Sequence, residues 1–127
     1  MIAALSLAAC NDNTATTTPT TPATTTTETF TGTLTVNGAK THQFASTSRG
    51  SVTATLTSLA PDSTATIGVA LGTWNGTSCA IFLPNDQATV GSILLATVSG
   101  VGNLCLRVYD VGKLTAPATY SVDVKHP

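Results

Sequence analysis

The stretch Phe30-Thr31-Gly32-Thr33-Leu34-Thr35-Val36-Asn37-Gly38 decides the fold class. Phe30, Gly32, Leu34 and Val36 fall on one side, and Thr31, Thr33 and Thr35 on the other. That period of two is the mark of a half-buried strand. Asn37-Gly38 ends the run with the strongest short hairpin signal, because both residues accept positive φ. A return strand is expected from Lys40 to Ser46, with His42 and Phe44 on one face.

The same alternation recurs downstream. After a turn at Arg49-Gly50, Val52, Ala54, Leu56 and Leu59 form an inward row against Thr53, Thr55 and Thr57. Pro61-Asp62 turns the chain. Ile67, Val69 and Leu71 form the next row, which ends near Trp74, and Asn75-Gly76 is a second hairpin turn. Cys79, Ile81 and Leu83 follow, then the turn Pro84-Asn85-Asp86. Val90 to Val98 is more continuously apolar and reads as a central strand. Leu104, Leu106 and Val108 alternate with Cys105, Arg107 and Tyr109. Tyr120, Val122 and Val124 close the chain, alternating with Ser121, Asp123 and Lys125. The sum is about eight short strands and no helix, an all-β antiparallel β-sandwich or jelly roll over residues 30–127.

Composition agrees. Of 127 residues, 27 are Thr, a β-branched residue that favours strands and loops over helices. The chain suits one domain with a short tail. Five basic residues stand against six acidic ones, with no basic cluster, which excludes a nucleic-acid binder.

Upstream of Phe30 the pattern stops. Asn11 to Thr29 reads NDNTATTTPTTPATTTTET, without a large apolar residue, so it cannot bury enough surface to offset its ordering entropy. A disordered Thr/Pro-rich tether is expected over 11–29. Residues 1–10, MIAALSLAAC, are apolar, uncharged and too short to cross a bilayer. They read as the end of a secretory signal peptide.

Leu7-Ala8-Ala9-Cys10 resembles a bacterial lipobox, in which a large apolar residue and two small ones precede a Cys. The resemblance implies acylation of Cys10, export, and a membrane anchor of two or three acyl chains, which hold stably where one would not. In such lipoproteins Asp after the Cys often marks inner-membrane retention, so Asn11 implies the outer membrane or cell surface.

A second resemblance covers Phe30 to Pro127. The order Phe30-x-Gly32, a turn, His42-x-Phe44, then Gly50-x-Val52 with Leu56, is similar to the opening of bacterial pre-peptidase C-terminal (PPC-like) domains. Tyr120-Ser121-Val122-Asp123-Val124 resembles their last strand, and Leu106 to Asp110 the strand and turn before it. The resemblance implies a compact β-sandwich in an exported protein, auxiliary to secretion or binding.

Cys79 and Cys105 remain for a disulfide, in a chain expected to be exported. Alternation assigns Cys79 to the face of Ile81 and Leu83, and Cys105 to the face opposite Leu104 and Leu106. Two buried free thiols are the other reading. No CxxC pair or other metal motif is present. No G-x-S-x-G elbow accompanies a Ser, and Asp62, Asp86 and Asp110 sit at turn signals, where Asp bonds the backbone. His42 is expected to pack beside a turn and His126 to be solvated. No phosphate loop or dinucleotide fingerprint appears, and no cofactor is expected.

The expectation is therefore a non-enzymatic, monomeric, envelope lipoprotein with a structural, adhesive or partner-binding role. The alternative is a carbohydrate-binding module, in which Trp74 at the rim of a hairpin stacks on a sugar and Tyr109 and Tyr120 extend the platform.

Overall fold

The structure, a computed structural model, describes residues 24–127. Cys10, the lipobox and the first thirteen residues of the expected tether (11–23) lie outside the described residues.

Eight strands follow in order: β1 (Thr26–Leu34), β2 (Ala39–Ser46), β3 (Gly50–Ala60), β4 (Ile67–Trp74), β5 (Cys79–Ala88), β6 (Ile93–Val98), β7 (Gly102–Tyr109) and β8 (Ala118–His126). Two four-stranded antiparallel sheets stack face to face. Sheet I has the order β1-β8-β3-β6, and sheet II the order β2-β7-β4-β5. β1 pairs with β8, β2 with β7, β3 with β6 and β4 with β5. This is one long hairpin whose tip is the turn after Trp74, rolled up so that alternate pairs land in opposite sheets. The β3–β8 and β4–β7 ladders then join the pairs into a jelly roll.

The inward rows meet between the sheets. Leu34, Val52, Leu56, Val122 and Val124 from sheet I pack against Ile67, Leu71, Leu106 and Val108 from sheet II. Leu56 and Leu59, three apart, both reach the core because a bulge shifts the register between Leu56 and Ser58. The Thr residues of β1 at 27, 29, 31 and 33 are exposed, and Phe30 and Leu34 between them turn inward.

Three expectations need correction. First, Asn37-Gly38 is not a hairpin turn, because β1 and β2 lie in opposite sheets. Asn37 does take a positive φ of 60°. The polar groups of the turn, however, are taken by Thr35 and Asp110. The Gly38 amide donates to the Thr35 carbonyl at 2.9 Å, and the Gly38 carbonyl accepts from the Asp110 amide at 3.0 Å. The Asn75-Gly76 turn, by contrast, joins two paired strands as expected.

Second, the apolar run Val90–Val98 is not a central strand. β6 lies at an edge of sheet I, with Ile93 and Leu95 60% and 65% exposed. The strand covered on both faces is β4, whose Gly68, Ala70 and Gly72 are small enough for side chains from neighbouring strands to close over them.

Third, regular structure begins before Phe30. Thr26 to Thr29 belong to β1 and pair with residues 126 to 123 of β8. Low apolar content marked them as tether. Thr pairs well in a strand, and β8 offers hydrogen bonds along its whole length.

Candidate functional site

Two side-chain clusters carry chemistry, one between the sheets and one on the outer face of sheet II.

The inner cluster lines the seam where β1 and β2 meet. Phe30 stacks on His42 with ring centroids 4.9 Å apart, and His42 Nε2 lies 2.6 Å from the Tyr120 hydroxyl. Gly32 lies against Tyr120, where a Cβ would stand 2.7 Å from the hydroxyl oxygen. Phe44 packs on Phe30 and on His126, at 6.1 and 5.0 Å. His126 Nε2 then meets Glu28 Oε2 at 2.6 Å. Residues quoted for the PPC resemblance (Phe30, Gly32, His42, Phe44 and Tyr120) thus converge in space.

His126 is 4% exposed, not solvated as expected. Its place at the end of β8 suggested solvent, but alternation turns it inward, where Glu28 supplies the partner. Tyr120 is 2% exposed and faces the core of sheet I, so it cannot extend a surface platform with Trp74. His126 Nδ1 faces the Pro127 carbonyl at 3.0 Å and Nε2 faces Glu28, so both ring nitrogens are engaged by acceptors. Burial, reinforced by the positive charge of Lys40, pushes the His42 imidazole below its usual value, which favours the neutral ring.

The outer cluster arises from register. In sheet II, Thr41, Arg107 and Ala70 stand in one cross-strand row, and Ala39, Tyr109 and Gly68 in the next. Cys105 lies beside Gly72 in a third. Cys79 reaches the same face because β5 carries a bulge. Leu83 pairs with Leu71, but Ile81 pairs with Gly72, so the extra residue Phe82 reverses the alternation. Cys79 and Cys105 are therefore joined, with Cα atoms 5.8 Å apart. The free-thiol reading falls.

Tyr109 lies flat on Gly68, where a Cβ would stand 2.1 Å from its ring. It reaches across β4 and donates a hydrogen bond to Asp86 of β5. Burial, with the hydrogen bond to Asp86, holds the phenol up at about 12. Arg107 packs its guanidinium 5.7 Å from the centre of that ring. So β4 is crossed by two links, one covalent and one hydrogen-bonded, with Arg107 between them.

Beyond the disulfide stands Trp74, half-buried at the base of the β4–β5 turn. That turn is stiffened by Asn75, whose Oδ1 accepts from the Thr77 amide at 3.0 Å, the Thr77 hydroxyl at 3.0 Å and the Ser78 amide at 2.9 Å. Trp74, Thr77, Ser78, Thr41 and Arg107 line a shallow groove of about 380 Å³ floored in part by Cys79. Of the expected platform, the structure brings Trp74 and Tyr109 to one face and sends Tyr120 to the core. Arg107 was not among the expected binding residues. Its place on one face with Cys105 and Tyr109, opposite Leu106 and Val108, was the signal that could have found it.

Among the described residues, no three His, Cys, Asp or Glu side chains gather as metal ligands. No family model matches the chain, and no curated protein matches it. Among solved structures, the fold is similar to that of a mitogen from Yersinia pseudotuberculosis. The TM-score is 0.57 and the identity 17%, over 80% of this chain and 86% of that one. At that identity the likeness is one of fold.

Proposed function

We propose that the protein is an exported lipoprotein whose jelly roll serves as a non-enzymatic binding module. On this reading Cys10 carries the acyl anchor and the Thr/Pro stretch after it is the tether, shortened by the residues that enter β1. A monomer displayed at the outer membrane or cell surface fits this arrangement. The observation that carries it is the Cys79–Cys105 bond beside the Leu7-Ala8-Ala9-Cys10 motif. Disulfides persist in oxidising compartments outside the cytoplasm, and a lipobox addresses a chain to the same side of the membrane. The convergence of the PPC-like residues in one seam supports the family resemblance. The engagement of both ring nitrogens of His126 supports a non-catalytic role.

A second reading, a carbohydrate-binding module, is favoured by the position of Trp74. The ring opens onto a hydroxyl-lined groove at the base of a stiff turn. That site belongs to the binding-module reading and gives it a working face.

The test is intact mass and membrane partitioning of the protein, expressed in a bacterium from its full native gene, beside Cys10→Ala. A mass gain of two or three acyl chains is expected, with membrane association lost in the variant. An unmodified protein in the soluble fraction would overturn the anchor.

A further inference from the structure

We propose that the groove between Trp74 and Arg107 binds an acidic sugar of the uronate type, with its carboxylate on Arg107 and one face of its ring on Trp74. The proposal rests on the binding-module reading and names the ligand class of that face.

Arg107 is the one charged side chain in the groove lining. Among the described residues the ion pair found is His126–Glu28, on the far side of the core, and Arg107 has none. Its cross-strand neighbours on that face are Thr41 and Ala70, and the nearby carboxylate of Asp86 is engaged by Tyr109. A guanidinium packed against a tyrosine ring is partly oriented already and presents a planar fork that matches a carboxylate. An unpaired, oriented Arg in a concave site is a recognition element for an anion.

The rest of the lining selects the kind of anion. Trp74 offers an apolar ring with a polar tip, suited to a ligand that is apolar on one face and hydroxylated at its edges. The hydroxyls of Thr41, Thr77 and Ser78 surround it and can both donate and accept. A pyranose carries that combination, and a carboxylate at its rim meets Arg107. An acidic peptide fits less well. Extended peptides gain affinity by adding to an open strand edge. The Trp74 to Arg107 line instead crosses the face of a sheet whose inner strands, β7 and β4, have their backbone groups paired. The disulfide and the Asn75 turn keep the two anchors in place, which reduces the ordering cost on binding.

Trp74 is the single tryptophan of the chain, so its emission reports this groove directly. The full chain, purified in detergent, is titrated with tetragalacturonate, its methyl ester, maltotetraose and hexaglutamate. A saturable change with tetragalacturonate is expected. It should weaken at least about tenfold on esterification, in Arg107→Gln, and as salt rises. Arg107→Lys, which keeps the charge without the fork, should fall between. It also provides a folded comparison if the Gln variant fails to fold. Equal response to maltotetraose would overturn the acidic-sugar assignment, and so would equal response to hexaglutamate, unaltered binding in Arg107→Gln, or no saturable change. None of these outcomes bears on the acylation of Cys10, so a failure here is distinguishable from a failure of the anchor.

Discussion

Cys79 and Cys105 are joined over Gly72, across a strand that pairs with both of theirs. A side chain at 72 would block the path, since a Cβ there would stand 2.9 Å from Cys79 Sγ and 2.5 Å from the Ala80 carbonyl oxygen. Tyr109 and Gly68 repeat the device two rows away, with Asp86 as the far anchor. The small residues of β4 therefore let the outer face of sheet II be tied crosswise to its strands, and the groove of Trp74 and Arg107 lies on the tied face.

Replacing both cysteines of the bond by Ser should leave the jelly roll intact but weaker. The bond spans a sequence separation of 26. Loop closure of that length is worth about 3.5 kcal/mol in the chain-entropy model. The expected outcome is a clear fall in the urea midpoint, with little change in far-ultraviolet dichroism.

Gly68→Ala should displace Tyr109 rather than the backbone, because the atoms that a Cβ would meet belong to the ring. The cost is expected at about 1–3 kcal/mol, as for other overpacked sites. The shift should also be visible by phenolate absorbance. Tyr109 titrates at about 12 because it is buried and bonded to Asp86. Lifted off Gly68, it should ionise closer to the ordinary tyrosine range.

Asp110→Ala should loosen two loops at once. The Asp110 carboxylate accepts from the Asn37 amide at 2.8 Å and from the amides of Gly112, Lys113 and Leu114 at 2.9, 3.0 and 3.1 Å. The bond from Asn37 leads the causes that hold its carboxyl below the usual carboxylate range. Loss of charge-assisted bonds of this kind is expected to cost about 1–3 kcal/mol. The sign with pH follows. A depressed carboxylate stabilises above its unfolded value, and the gain disappears as pH falls through the folded one. The variant should therefore show less loss of stability in strong acid than the parent. Hydrogen exchange at Asn37 and Gly112 to Leu114 should quicken at neutral pH.

His42 should make the fold acid-sensitive at milder pH. Its folded value lies below the ordinary 6.5, through burial first and the charge of Lys40 second. The folded state then binds fewer protons than the unfolded one, so stability is full above the unfolded value and declines as pH falls from there toward the folded value. The seam it faces holds the Phe30 ring and the Tyr120 hydroxyl. His42→Gln can still bond Tyr120 but does not titrate. The expected result is a shallower fall in Tm between about pH 7 and about pH 5 than in the parent.

Much of the fold was legible because strand alternation is a local property. A side chain in a strand points to one face or the other, so rows such as Val52, Ala54, Leu56 and Leu104, Leu106, Val108 show in one dimension which residues form a core. Asn75-Gly76 was legible for the same reason, since a tight turn between paired strands is set by the residues inside it. The all-β class, the count of eight strands, the candidate pair Cys79 and Cys105 and the position of Trp74 beside a turn all follow from such local rules.

Sheet membership is not local, and only the tertiary structure decided it. Asn37-Gly38 has the chemistry of a hairpin turn, yet it joins opposite sheets because Asp110, far along the chain, takes its polar groups. Val90 to Val98 is apolar enough for a central strand, yet β6 ends at an edge because the roll of the long hairpin leaves no strand beyond it. The bulge at Phe82 reverses the face of Cys79 and makes the disulfide possible, and one extra residue leaves no mark in an alternating pattern. Alternation sets Tyr120 with Val122 and Val124 and Tyr109 opposite Leu106 and Val108, but that Tyr109 lies across Gly68 to reach Asp86 depends on which strands are neighbours. The hydrophobic pattern by itself determined which residues turn inward in most strands. Which strands lie side by side, and so which side chains meet across a face, depends on long-range pairing that no single stretch of sequence contains.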